Sequence, residues 1–235
     1  MSVDGITIGT MWRIRLFGAA GGAVFAALTL VAFLIAPGPS SADGVTVVEY
    51  YTQHGNAAIW QAVLAGFGIV CFMWFAAIFA DTMSSTKAVL VSAGAMAAVY
   101  LVVLGAWESL GENYKDVDIV DVQSEDYGDA HALYDVGVGA AHMAGFANAA
   151  FVGATAAALL TSAAPSRRLG GIGLGLTVVW LINAPLQIFA TSDWSDAVGA
   201  IVFLALLAWV FALSTVLVIS LRRPPVATQP PRTSP

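Results

Sequence analysis

The chain alternates six long apolar runs with short polar segments, and this pattern dominates the sequence. Each run holds about 20 to 25 residues, the length that a helix needs to cross the hydrocarbon core of a bilayer. In hydrocarbon every backbone amide must pair within the segment, so the runs predict helices; the short alternating segments of a β-barrel do not occur. The predicted spans are residues 16–36, 57–80, 88–107, 136–160, 169–190 and 198–221.

Composition points to the same class. Hydrophobic residues make up 59% of the chain and charged residues only 10%, against about 25% charged in an average soluble domain. We therefore predict an all-α membrane protein: one bundle of six transmembrane helices over residues 1–221, then a disordered proline-rich tail over 222–235. The first run could instead be a cleaved signal peptide, but its apolar core exceeds the roughly 7 to 15 residues of such a segment, which favours a retained helix.

The basic residues predict the orientation. With six spans, both termini and two loops share one side, and eight of the nine basic residues lie there, Lys115 being the exception. Thirteen of the fifteen acidic residues lie on or near the other side; Asp4 and Asp81 do not. The positive-inside rule then predicts cytoplasmic termini. The expected partner of such a chain is the lipid bilayer, and a nucleic-acid partner is not expected.

Motifs for catalysis, metals and cofactors are missing from the sequence. Phosphate-binding, dinucleotide-binding, zinc-protease and nucleophile-elbow patterns do not occur, and Cys71 stands alone without a disulfide partner. The stretch 108–133 holds eight acids, but Val120 and Asp121 occupy positions where a calcium loop needs an oxygen ligand and a glycine. We expect a long solvated acidic loop there, with weak cation binding as the alternative. We expect no catalytic residue, no metal and no cofactor.

The fourth span carries a stripe of small residues that predicts close helix packing. At 100° per residue, Gly137, Ala141, Gly145 and Asn148 share one face. Small residues spaced four apart let another helix approach, and Asn148 would then hydrogen-bond across the interface. The first span, with Gly18 and Gly22, and the fifth, with Gly171 and Gly175, have the complementary spacing.

A second face of the fourth span carries His131, Asp135 and His142. Counting residues from the outer ends places His142, Tyr100 and Asn183 at one depth, with two glutamines slightly shallower and Glu108 at the mouth. Because polar residues at membrane depth usually face the bundle interior or an aqueous cavity, we predict an outward-facing polar pocket. The alternative is that His142 is a neutral packing residue. The candidate pocket residues are His142, Tyr100, Asn183, Asp135, Gln61 and Gln187.

Three segments resemble a group of actinobacterial six-helix membrane proteins that have no assigned activity: "VVEYYTQHG" before the second span, "ALYDVGVGAAHMAGFANAAF" in the fourth and "RRLGGIGLGL" in the fifth. The resemblance implies a similar fold and a location in the cytoplasmic (inner) membrane of a bacterium. It carries over no functional residues.

Three function classes follow from these observations. The small-residue faces and missing catalytic motifs favour a non-enzymatic scaffold or accessory subunit that binds a membrane-protein partner or a second copy of itself. One alternative is a binder or transporter of a small neutral or cationic molecule, which would enter the pocket through an acidic mouth. The other is a membrane redox or enzyme subunit that uses His142.

Overall fold

The computed structural model describes residues 3–36, 38–39, 41–83, 86–119, 122–162, 167–189 and 193–222. Within these ranges the chain forms six α-helices and no strand, and all six are long and apolar enough to cross a membrane. The prediction of six spanning helices is therefore confirmed, while the predicted tail from residue 223 lies outside the described residues. The helices are α1 (Val3–Ile35), α2 (Gly44–Met83), α3 (Thr86–Tyr114), α4 (Ser124–Thr161), α5 (Arg167–Phe189) and α6 (Asp193–Arg222).

The helices pack in chain order as antiparallel neighbours, and α6 returns to α1 to close a ring. Helices α2 and α4 also touch across the middle. We call the end that carries Arg15, Arg168 and Arg222 the basic end and the opposite one the acidic end. At the basic end an ion pair joins Arg15 to Asp81, and the indole of Trp12 donates to the Leu221 carbonyl at 3.2 Å. These contacts hold α1, α2 and α6 together there.

Ser214 of α6 forms a second link between α1 and α6. Its hydroxyl donates to the Ala19 carbonyl at 2.6 Å and accepts from the Ala23 amide at 3.0 Å, both on α1. Gly22 makes this approach feasible, since a Cβ there would lie 3.0 Å from the Ser214 Cβ. In a bilayer such contacts and close packing replace the hydrophobic effect as the force between helices.

Two helices are much longer than a bilayer requires. Helix α2 has 40 residues and α4 has 38, close to 60 Å each at 1.5 Å per residue, whereas the hydrocarbon core is about 30 Å thick. Their extensions, with the end of α3, form a helical cap at the acidic end. The cap buries Val47, Val48, Tyr51, Leu110, Tyr114 and Ala130 together.

The cap corrects the prediction of a long acidic loop. Helix α3 continues to Tyr114 and α4 begins at Ser124, so most of the stretch 108–133 is helical. The acids Asp116 and Asp118 do remain exposed. The loop prediction was wrong because it rested on the charges alone. Tyr114 and Ala130 bury against α2, and this burial favours helices in place of a solvated loop.

The small-residue faces are used within the bundle. Helix α1 meets α2 at Gly18 and Gly21, and a Cβ on Gly21 would collide with the Cys71 carbonyl. The expectation for α5 was wrong: Gly171 and Gly175 face outward with nothing within 4 Å, while Gly170 packs on α4 and Gly173 packs on Trp209 of α6 and on α4. Burial of Leu176 and Trp180 turns that other side of α5 inward.

Candidate binding cavity

A cavity of about 610 Å³ lies in the half of the bundle nearer the acidic end. All six helices and the α1–α2 connection contribute to its wall. Among the described residues that line it, none is Asp, Glu, Lys or Arg, and His142 is the one titratable nitrogen base. The lining residues are Phe25, Thr29, Ala32, Phe33, Ala36, Gly38, Pro39, Tyr50, Tyr51, Ala58, Gln61, Ala65, Ile69, Tyr100, Val103, Leu104, Trp107, Tyr134, Val138, Ala141, His142, Gln187, Gly199, Ala200 and Phe203.

Tyr100, which lines the cavity, is paired with Asn148, which lies behind the lining. The Asn148 side-chain nitrogen lies 3.0 Å from the Tyr100 hydroxyl, and that hydroxyl lies 3.3 Å from the Asn148 side-chain oxygen. Asn148 has no exposed surface, so its amide depends on partners inside the protein. The pair joins α3 to α4 and fixes the tyrosine ring against Phe203, with the ring centroids 6.3 Å apart.

Gln61 ties α2 to the outer end of α1. Its side-chain nitrogen donates to the Ala36 carbonyl at 3.2 Å, and its side chain is almost fully buried. Near the mouth, the backbone amide of Gly38 donates to the Tyr50 hydroxyl at 3.1 Å. Gly38 has φ +95°, a conformation that glycine adopts without strain. The α1–α2 connection is thereby held beside the opening of the cavity.

Two aromatic rings meet where α1 and α6 line the cavity. Phe33 of α1 and Phe203 of α6 both belong to the lining. Their ring centroids lie 6.2 Å apart.

Four of the six candidate pocket residues line the cavity: His142, Tyr100, Gln61 and Gln187. His142 is half-buried on α4, and no hydrogen bond joins its ring to another described residue. Gln187 approaches from α5 across Gly199, where a Cβ would collide with its amide nitrogen. Helix α5 thus contributes the Gln187 amide to the cavity, because Gly199 of α6 has no side chain in its way.

Asp135 and Asn183 do not line the cavity, which corrects their assignment to it. Asp135 is exposed in the cap, 3.4 Å from His131, whose other ring nitrogen lies 2.6 Å from the Ala42 carbonyl. Asn183 is buried, and its neighbour Ala184 packs on Gly145 of α4. Residue counting predicts the height of a side chain but not the direction in which it leaves the helix.

The packing stripe on α4 contacts two different neighbours. A Cβ on Gly137 would lie 3.0 Å from the Trp107 indole nitrogen of α3, and one on Gly145 would lie 2.7 Å from Ala184 of α5. Ala141 lines the cavity between these contacts. The stripe therefore faces the interior of this bundle.

Sequence reasoning missed Thr29 and Trp107. Both residues line the cavity, while the Thr29 hydroxyl and the Trp107 indole nitrogen themselves are buried and have no hydrogen-bond partner among the described residues. Trp107 stands at the outer end of the third predicted span, where tryptophan is common at the membrane interface and its position alone does not indicate a cavity. Thr29 is a single hydroxyl in an apolar run, and no local pattern distinguishes it from a packing residue.

Metal-binding side chains do not gather in the described part of the chain: no group of three His, Cys, Asp or Glu is placed to hold an ion.

Outside the membrane, the carboxylate of Asp43 caps the N-terminus of α2 and accepts a hydrogen bond from the Thr46 amide at 2.9 Å. Hydrogen bonds from Ser41 and then Thr46 lower the pKa of Asp43 to about 2.

Comparisons with known proteins give no relative for this chain: no family model, no curated protein and no solved structure matches it.

Proposed function

We propose that the protein is a membrane-embedded binding protein for a small, neutral, largely apolar molecule. The observation that carries this proposal is the cavity of about 610 Å³ with a mainly aromatic and aliphatic lining that includes no Asp, Glu, Lys or Arg among the described residues. Its volume falls within the roughly 300–1,000 Å³ of small-molecule sites, which are likewise mostly apolar with a few polar groups. The lining residues with polar side-chain groups are Thr29, Tyr50, Tyr51, Gln61, Tyr100, Trp107, Tyr134, His142 and Gln187.

A neutral ligand fits the electrostatics better than a cation. The acids of the cap, such as Asp116, Glu125 and Asp129, are exposed and do not reach the cavity wall. A cation inside the wall would lose its hydration without gaining a carboxylate, at a cost of several kcal/mol. Selection for uncharged molecules follows from that difference.

The positive-inside rule orients the site. It places the basic end and both termini in the cytoplasm and the acidic end outside, so the cavity opens away from the cytoplasm. Together with the resemblance to actinobacterial proteins, this supports a location in the cytoplasmic membrane of a bacterium. A scaffold role has less support, because Gly18, Gly137 and Gly145 contact the chain's own helices.

Thermal stabilisation by ligands tests the proposal. The protein in lipid nanodiscs is screened with a panel of neutral, apolar compounds of one to three rings. A compound that binds the folded state raises Tm in a saturable way. Ala200→Phe places a ring in the cavity, and Ala205→Phe places the same ring on the exposed surface of α6.

We expect saturable stabilisation of the wild type and of Ala205→Phe, and none of Ala200→Phe, with all three proteins folded. Saturable stabilisation that survives in Ala200→Phe, or its absence across the whole panel, would refute the proposed binding function.

A further inference from the structure

The polar side chains of the cavity wall differ in whether a bound molecule can reach them. The Thr29 hydroxyl is buried against α2, and the Tyr100 hydroxyl is bonded to Asn148 behind the lining. His142 and Gln187 also line the cavity, but both are only half-buried. Their imidazole and amide groups are therefore accessible to a molecule in the cavity.

His142 and Gln187 lie at one height on neighbouring helices. Gly145 of α4 packs on Ala184 of α5, since a Cβ on Gly145 would lie 2.7 Å from the Ala184 Cβ. His142 lies three residues before Gly145, and Gln187 lies three residues after Ala184. Because the two helices are antiparallel, both steps lead toward the acidic end. We call the height shared by His142 and Gln187 the polar level of the cavity.

The floor of the cavity is apolar and is closed by packed rings. Phe25 lines the cavity, and its ring centroid lies 5.0 Å from that of Phe72. Phe72 in turn contacts Phe151 of α4 at 4.8 Å between centroids, and neither of these two residues has exposed surface. Phe151 lies nine residues beyond His142 on the same helix. The floor is therefore roughly 13 Å nearer the basic end than the polar level, at 1.5 Å per residue.

The wall between the polar level and the floor offers hydrocarbon and aromatic rings. Ala65 and Ile69 of α2 and Phe203 of α6 contribute to this part of the lining. The Tyr100 ring lies beside Phe203, with the centroids 6.3 Å apart, while its hydroxyl is bonded to Asn148. A molecule that occupies the cavity thus meets hydrogen-bonding groups at one end and an apolar surface along the rest of its length.

We infer that the ligand is a neutral amphiphile with one hydrogen-bonding head and one apolar tail. The head both donates and accepts hydrogen bonds, as a carboxamide does, because the Gln187 amide and a neutral imidazole each carry a donor and an acceptor. The head lies at the polar level, and the tail fills the roughly 13 Å down to the floor. This inference rests on the proposed binding function and specifies the class and the orientation of its ligand.

Two shape-matched probes separate the head from the tail. One is para-hexylbenzamide, and the other carries an isopropenyl group in place of the carboxamide, which keeps the planar shape and removes the hydrogen bonds. Affinities are measured by equilibrium binding of each radiolabelled probe to the protein in nanodiscs. Each variant is compared with the wild type in the same lipid, so that partitioning of the probe into the bilayer cancels.

The chain offers matched controls for the head. Gln187→Met and His142→Phe remove the amide and the imidazole at the polar level. Gln53→Met and His54→Phe make the same changes at exposed positions of α2 outside the cavity lining. Phenylalanine at position 54 keeps a ring that can stack on Tyr50.

A second pair of variants tests the tail. Ile69→Phe enlarges a side chain of the lining between the polar level and the floor, whereas Ile69→Leu keeps its volume. Overpacking costs about 1–3 kcal/mol, which corresponds to a loss of at least about five-fold in affinity. We expect Ile69→Phe to lower the affinity for both probes by that factor and Ile69→Leu to leave both unchanged.

For the head, we expect Gln187→Met and His142→Phe each to lower the affinity for para-hexylbenzamide by about three- to ten-fold, which corresponds to one hydrogen bond. The affinity for the isopropenyl probe stays at the wild-type value in both variants, which also shows that the cavity remains folded. Gln53→Met and His54→Phe bind both probes as the wild type does.

If Gln187→Met or His142→Phe weakens both probes equally, or weakens neither, the head does not bind at the polar level and the inference is overturned. Unchanged affinities in Ile69→Phe would overturn the placement of the tail. If neither probe binds the wild type while other panel compounds stabilise the protein and Ala200→Phe abolishes their effect, the ligand inference is overturned and the binding function stands. If no compound of either set binds, both are overturned.

Discussion

Removal of the Tyr100 hydroxyl tests the buried hydrogen bond between Tyr100 and Asn148 beside the cavity. Tyr100→Phe leaves the amide of Asn148 buried without this partner, which lies 3.0 Å away in the structure. An unpaired buried polar group costs about 1–3 kcal/mol. Interhelical hydrogen bonds in a bilayer measure less, about 0.6 kcal/mol on average and 1.7 at most, because the unfolded chain in the membrane also finds partners.

We therefore expect Tyr100→Phe to lower the free energy of unfolding by about 1 kcal/mol. Asn148→Leu removes the amide and keeps the size, so the hydroxyl of Tyr100 then lacks its partner. The double variant removes both groups and leaves neither unpaired. It should be more stable than the sum of the single effects predicts, by a coupling energy of about 0.5–1.5 kcal/mol.

The assay is reversible unfolding in bicelles on the wild type, the two single variants and the double variant. The difference between the summed single effects and the double effect isolates the pair from changes in packing. A coupling energy below about 0.3 kcal/mol, within the usual error of additivity, would mean that the hydroxyl and the amide do not bond. The assignment of Tyr100 and Asn148 as a fixed pair would then be wrong.

Three further predictions concern the bundle and the cap. Ser214→Ala should lower the free energy of unfolding by only about 0.6–1.7 kcal/mol, because the Ala19 carbonyl and Ala23 amide can re-form their helical bond; a larger loss in the same unfolding assay would contradict this. Gly21→Ala should cost about 1–3 kcal/mol, since its Cβ meets the rigid Cys71 backbone, whereas Gly199→Ala meets only the mobile end of Gln187 and should cost less; equal costs would refute the distinction. The Asp43 carboxylate, which caps the N-terminus of α2, has a pKa of 3.8 in the unfolded chain and about 2 in the folded protein. Its contribution to stability is therefore present above pH 3.8 and is lost as the pH falls through about 2. Hydrogen exchange in the first turn of α2 should therefore differ between the wild type and Asp43→Ala at pH 5 but not below pH 2, and a difference that persists at the lower pH would contradict this.

Of the six residues predicted for one pocket, the cavity lining includes four and leaves out Asn183 and Asp135. His142, Tyr100 and Gln187 lie in the half of the bundle expected for them and line one cavity. Asn183, at the same depth, is buried outside the cavity lining. The height of a residue follows from its distance to the end of an apolar run, but its direction depends on how the whole helix is rotated against its neighbours.

The glycines of α5 show the same limit. Gly171 and Gly175 have the spacing of a packing motif and face outward, while Gly170 and Gly173 make the contacts. All four lie in one glycine-rich stretch, so local sequence offers no reason to prefer either pair. Burial of Leu176 and Trp180 against the rest of the bundle decides the rotation.

The sequence by itself determined that six helices cross the membrane, since backbone amides in hydrocarbon can pair only within a helix and each run has the required length. It also determined the segregation of charge between the two ends. Only the tertiary structure decided that α2 and α4 extend into a cap, because that depends on burying residues as distant in sequence as Val48 and Ala130. The tertiary structure likewise decided that Thr29 and Trp107 line one cavity, since helix rotation results from packing summed over every interface and no single helix encodes it.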